Sequence, residues 1–191
     1  MIDVFKRYLT DRGLEEPEIK QFDTVVRLQK IAKKEYFLHE GDIMNCYAFV
    51  TEGCFRTYTI DEDGNELTVK FIVAGMWLGD DESLESGKPS VFNIDALEDS
   101  EVLIINRKDF AWLSEKSSAV RCMIDLVFNE SFQMAQYRIH ELISLSAEDR
   151  YLKFLETYPL LVSRIPQGMI ASYLRITPET LSRVRKLSKN K

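Results

Sequence analysis

CFRTYTIDEDGNELTVKF, residues 54–71, contains two runs of alternating polar and apolar residues on either side of Asp61–Asn65. Alternation with a period of two marks a half-buried strand. Asp63-Gly64 supplies the positive φ that a tight antiparallel connection needs, so the stretch reads as a β-hairpin. Its second strand continues through NELTVKFIVAG, where Leu67, Val69, Phe71 and Val73 alternate with Thr68, Lys70 and Ile72. One row is expected inward and the other mostly outward.

Working outward, the segment from Lys33 to Asn106 is punctuated by Gly41, Gly53, Gly64, Gly75, Gly79 and Gly87. A spacing of roughly 8–12 residues predicts short strands in an all-β barrel or sandwich. VFNIDALEDSEVLIIN (91–106) reads as a second strand pair bent at Glu98-Asp99-Ser100. Beyond Asn106 the period becomes helical: Val120, Ile124, Phe128, Phe132, Ala135, Ile139, Leu142 and Leu145 form one stripe, with Met123, Val127 and Met134 beside it. Glycine and proline are absent from Lys108 to Tyr158. The spacing predicts a long helix whose two apolar sides are buried, one on the β unit and one on a second copy of the chain. A homodimer is therefore expected. Ser146 and Asp149 approximate a capping box that starts the next helix, AEDRYLKFLETY, which Pro159 closes.

RIPQGMIASYLRITPETLSRVRKLSKNK, residues 164–191, holds seven basic residues against Glu179, a charge of 7 − 1 = +6. The whole chain carries −6, so residues 1–163 carry −6 − 6 = −12. A basic tail on an acidic body points to a polyanion partner, because Lys and Arg near phosphates release condensed counterions. Met169, Ile170 and Leu174 give one short helix an apolar face, Arg175-Ile176-Thr177 makes the turn, and a second helix follows. Thr177 is its N-cap and Pro178 its first residue, with Leu181 and Val184 inward. These are the parts of a helix-turn-helix whose second helix enters the major groove of double-stranded DNA. Glu179, Thr180 and Arg183 are expected at base edges, with Ser182 on the same outer face; Arg175, Thr177, Arg185 and Lys186 are expected on phosphates.

No apolar run reaches the roughly 20 residues that span a bilayer. Met1–Thr10 is too charged for a secretory signal, so a cytoplasmic location without membrane contact is expected. Cys46, Cys54 and Cys122 form no C-x-x-C pair and are expected as reduced core residues. His39 and His140 sit in no metal-ligand spacing, so neither a metal nor another cofactor is expected. A cupin-type enzyme would need two or three imidazoles in the β region, where His39 stands alone; the chain reads as no enzyme.

HEGD (39–42), FVTEGCFRTY (49–58), DEDGNE (61–66), LGD (78–80), SAEDRYLKFL (146–155) and IPQGMIASYLRITPETLSRVRK (165–186) together resemble the Crp/Fnr family of bacterial transcription regulators, in the form common in Bacteroidetes. The resemblance covers essentially the whole length. It implies an α+β chain: an amino-terminal jelly-roll (double-stranded β-helix) of the cyclic-nucleotide-binding type over 1–117, a dimer helix over 118–145 carrying Ile124, Phe128, Phe132, Ala135, Ile139 and Leu142, and a helix-turn-helix over 146–191. It implies as partners double-stranded DNA at an inverted repeat, a second copy of the chain, a small-molecule effector of unknown identity and RNA polymerase. The alternative is a degenerate sensor that acts mainly through protein partners.

Some positions depart from the family pattern. Arg175 stands where such turns offer glycine, so a non-glycine residue is expected near positive φ. Only Leu187–Lys191 follow the second helix, so the carboxy-terminal wing strands of relatives are expected to be missing. Nucleotide-binding relatives use a Gly-Glu pair on the ribose and an Arg-hydroxyl pair on the phosphate. The matching stretch LGDDESLESGKPSVFNI (78–94) offers Gly79, Asp80, Lys88 and Ser90 as the effector pocket. Lys88, a point charge, cannot reproduce a bidentate guanidinium clamp, so cyclic AMP and cyclic GMP are not expected to bind. Cysteines near the amino terminus, which hold an iron–sulfur cluster in some relatives, have no counterpart before Cys46, and His39 and Cys54 are not expected to ligate haem.

Overall fold

The computed structural model describes residues 2–188, which fall into two compact units: residues 2–59 with 69–128, and residues 60–68 with 129–188. Lys189 and Lys191 of the basic tail lie outside the described residues.

The first unit starts with α1 (Ile2–Asp11) and α2 (Glu16–Phe22), followed by strands β1 (Arg27–Ile31), β2 (Tyr36–Leu38), β3 (Cys46–Glu52), β4 (Cys54–Ile60), β5 (Glu66–Val73) and β6 (Trp77–Leu78). Then come α3 (Asp81–Ser86), β7 (Asn93–Ala96), β8 (Ser100–Asn106), α4 (Arg107–Lys116) and the start of α5 (Ser118–Ser144). The strands form two four-stranded sheets, ordered β1-β8-β3-β6 and β2-β7-β4-β5. Between them lies a core to which the first sheet gives Ile31, Ala48, Val50, Leu78 and Val102, and the second Leu38, Phe55, Ile72, Ile94 and Ala96. The other face of the first sheet is also covered: Phe49, Leu103 and Ile105 pack with Phe5, Leu9, Phe22, Phe110, Leu113, Val120 and Met123 from the surrounding helices. Burial on both faces explains why YAFV (47–50) and VLII (102–105) are continuous apolar runs rather than alternating ones.

The hairpin forms as expected, but burial in β5 does not follow one row: Thr68 and Ile72 of one row and Phe71 of the other are buried, while Val69 is exposed. The second strand pair is a correction. β7 pairs with β2 and β4, whereas β8 pairs with β1 and β3, so Leu97-Glu98-Asp99 crosses between sheets instead of turning within one. A companion crossing, from β3 to β4, runs through Gly53. A Cβ added there would lie 2.0 Å from the Ser100 hydroxyl, and φ is +101°. Only glycine lets the two crossings pass this closely. Across β4 and β7, Arg56 donates to both Asp95 oxygens at 3.0 and 2.9 Å and lies 4.0 Å from the centre of the Tyr58 ring.

The second unit comprises residues 60–68, the remainder of α5, α6 (Ala147–Thr157), a 3-10 turn at Leu161–Ser163, α7 (Gln167–Leu174) and α8 (Pro178–Ser188). Phe154, Tyr158 and Tyr173 meet ring to ring among buried Ile165, Ile170, Leu174, Leu181 and Val184. Ser146 caps α6 by accepting from Asp149 N at 3.2 Å, and its hydroxyl donates to the Asp149 carboxylate at 2.7 Å.

Two further corrections concern single residues and elements. Cys54 is buried and Cys46 half-buried, but Cys122 is exposed on α5 and is no core residue. The strands also begin earlier than residue 33, at Arg27, because β1 is an edge strand with four of its five residues exposed and so lacks an alternating pattern.

Candidate nucleic-acid interface

The carboxy-terminal pair of helices is built around a fixed turn. α7 ends with Arg175 at φ +53° and ψ +49°, as the sequence departure implied. Ile176 N donates to Ala171 O at 3.1 Å and Arg175 N to Ser172 O at 3.1 Å, the two bonds of a Schellman motif. Two guanidinium groups reinforce this end. Arg138 donates to Tyr173 O and stacks on the Tyr173 ring at 3.9 Å, and Arg150 donates to Leu174 O at 3.0 Å. Positive charge at carbonyls that lack intrahelical partners opposes the negative end of the helix dipole.

α8 starts from the Thr177 hydroxyl, which accepts from Thr180 N at 3.2 Å, with Pro178 as first residue. Leu181 and Val184, one turn apart, are buried and hold the helix down. With 100° per residue, Glu179, Ser182, Arg183 and Lys186 then share the face opposite, and all four are exposed. Glu179 has its carboxyl held below the ordinary value by its own backbone N–H and by the Thr177 hydroxyl, so it stays an acceptor in mildly acidic solution. Among the described residues the side chains of Ser182, Arg183 and Lys186 have no hydrogen-bond or ion-pair partner.

Thr180 is half-buried at the edge of that face, its hydroxyl 3.2 Å from Thr177 Oγ1. Arg175 and Thr177 are exposed at the turn. Arg185 is half-buried, and its Nη1 donates to Gln167 Oε1 at the first turn of α7. Sequence reading missed Gln167, Arg138 and Arg150, since no local pattern announces partners 18, 35 and 24 residues away.

Of the expected effector quartet, Gly79, Asp80 and Ser90 lie together, while Lys88 is exposed. Asp80 is buried and caps α3: its Oδ1 accepts from Glu82 N at 3.1 Å and Ser83 N at 3.3 Å, and its Oδ2 accepts from the buried Ser90 hydroxyl at 2.6 Å. Gly79 lies against Met44. The apolar stripe of α5 divides along its length. Val120 and Met123 are buried, Ile124, Phe128 and Leu142 are half-buried, and Ala135 is exposed together with Phe132 (63%) and Ile139 (57%). Among the described residues no group of three or more His, Cys, Asp or Glu could hold a metal ion, and no helix is long and apolar enough to cross a membrane.

Comparison with known proteins adds sequence and fold. Residues 28–117 match the family described as the cyclic nucleotide-binding domain. The anaerobic regulatory protein of Pasteurella multocida (strain Pm70) is 29% identical over 183 residues, covering 90% of this chain and 66% of that protein. The fumarate and nitrate reduction regulatory protein of Vibrio cholerae is also 29% identical over 183 residues, covering 90% of this chain and 72% of its own length. The chain thus spans about two thirds of the length of these relatives. FixK2 from Bradyrhizobium japonicum shares the fold with a TM-score of 0.77 at 20% identity, covering 87% of this chain and 85% of that one.

Proposed function

Given that the chain belongs to the Crp/Fnr family of DNA-binding transcription regulators, we propose that it works as a homodimer that lays α8 of each copy into the major groove of an inverted repeat. The observation that carries this reading is the exposed face of Glu179, Ser182, Arg183 and Lys186 on a helix fixed from below by Leu181 and Val184. A helix fixed from below with open polar side chains on its solvent side suits contacts to base edges and to the flanking phosphates. Residues 1–117 serve as sensor, 118–145 as dimer helix and 146–191 as DNA-binding part. Phe132 and Ile139 form part of the dimer seam, which supports half-sites about one helical turn apart. The setting is cytoplasmic, with RNA polymerase as the wider partner.

Cyclic AMP and cyclic GMP are not the effectors. The groups expected to receive ribose and phosphate answer each other, Ser90 donating to Asp80, and Lys88 lies exposed.

The test is selection of bound duplexes from random sequence, followed by sedimentation of Phe132→Glu. An inverted repeat recovered with wild type, and a monomeric Phe132→Glu that no longer selects it, are expected. Recovery of unrelated sequences only, or a monomeric wild type at micromolar concentration, would overturn the reading. Calorimetric titration with both cyclic nucleotides should give no heat at millimolar ligand.

A further inference from the structure

Beside α8 an open hollow of about 280 Å³ is lined by Gln167, Pro178, Leu181, Ser182, Arg185 and Lys186. It lies on the flank of the exposed face, since Pro178, Ser182 and Arg185 follow one another at helical spacing. Arg185 forms part of its wall, held by the Gln167 side-chain oxygen, and Gln167 Nε2 in turn donates to Val162 O at 3.4 Å. The choice of partner is informative. A carboxylate would orient Arg185 and also neutralise it, whereas an amide oxygen orients the guanidinium and leaves its full charge. Among the described residues no carboxylate pairs with Arg185. A half-buried cation is thus kept in one geometry without a counter-ion, beside Lys186 and the Ser182 hydroxyl, around a concavity of the size of a phosphate and its waters.

We infer that Gln167 is a positioning residue, presenting Arg185 to a DNA backbone phosphate seated in this hollow, with Ser182 and Lys186 as its other donors. The inference rests on the DNA-binding reading above and adds to it a contact that fixes the register of α8 without reading sequence. An arginine fork accepts two phosphate oxygens only when its plane is set, so a fixed plane strengthens the contact on every sequence alike.

The experiment uses the full-length protein and two duplexes of equal length, one selected by the wild type and one unrelated, titrated across a range of KCl concentrations. Arg185→Ala is expected to weaken both about tenfold and to make the slope of log K against log salt shallower by about one. Gln167→Ala should weaken both by about three- to fivefold, and the double variant should bind no worse than Arg185→Ala. Gln167→Glu is the decisive variant, because it keeps the bond to Arg185 and the thermal midpoint while cancelling the charge. Loss on both duplexes with a shallower salt slope is expected. Wild-type binding by Gln167→Glu, additive losses in the double variant, or a loss confined to the selected duplex would overturn this inference while DNA binding stands. No shift by wild-type protein on either duplex would overturn the DNA-binding reading and this inference with it.

Discussion

Two short segments of this chain, Gly79–Ser90 and Arg175–Lys186, are built from the same materials and come to opposite ends. Each begins with a side-chain oxygen that caps a helix, Asp80 for α3 and Thr177 for α8. Each also carries serines and lysines. In the first, Asp80 takes two backbone amides and the Ser90 hydroxyl, and Ser83 donates to Lys88 O at 2.7 Å, so the Asp80 carboxylate and these hydroxyls are consumed within the fold. In the second, the cap is local, and Glu179, Ser182, Arg183 and Lys186 beyond it stay open to solvent. Polar composition therefore does not make a binding site; what matters is whether the fold has already supplied the partners.

Substitutions can break or sharpen this contrast. The open face depends on a dry floor, so Leu181→Asp, which puts an unpaired carboxylate where 1% of the residue is exposed, should cost several kcal/mol and melt the second unit in a urea titration followed by circular dichroism. Next, Asp80→Ala removes a cap and the short bond from the Ser90 hydroxyl, which keeps only its contacts with the Phe92 backbone, for about 2 kcal/mol by chemical denaturation. An unchanged midpoint would mean that the first segment is as open as the second. Arg183→Ala should leave stability intact and cost about 2 kcal/mol of discrimination at one base pair, measured by binding to single-substitution duplexes. Equal loss on all duplexes would assign it to phosphates.

The smallest effect concerns Lys70, a half-buried cation in the same row of β5 as Thr68 and Ile72. Burial lowers its pKa, with Asp81 acting weakly the other way. The unfolded chain binds that proton more tightly than the folded one, so stability should rise as pH climbs from the folded value toward the ordinary lysine value. Lys70→Met should remove this pH dependence and raise the thermal midpoint by about 2–4 °C for about 1 kcal/mol. A fall in the midpoint would show the charge to be compensated.

Local signals made much of this legible. Asp63-Gly64 set the hairpin, Arg175 in a turn position foretold positive φ, and Thr177-Pro178 marked the start of α8, because each depends on backbone geometry within a few residues. Strand pairing was not legible in the same way. The alternation of 91–106 fits a hairpin as well as a sheet crossing, and only Gly53 against Ser100, distant in sequence, decides between them. The Arg56–Asp95 pair and the Gln167–Arg185 bond share that character, joining residues 39 and 18 positions apart. At the interface the sequence identified the exposed residues, yet the partner that orients Arg185 emerged only from the packing of α7 on α8.

β8 has a consequence for the order of assembly. It lies between β1 and β3, Ile104 facing Arg27 on one side and Ala48 on the other. The amino-terminal helices likewise rest on Leu103, Ile105, Phe110, Leu113 and Val120. As the chain leaves the ribosome, its first hundred residues have neither the central strand of one sheet nor the floor for their helices. Contacts of such long sequence separation slow folding and leave strand edges uncovered while they wait. The nascent roll is then most exposed to aggregation or proteolysis until about residue 120 has emerged, and slower translation upstream of β8 would lengthen that interval.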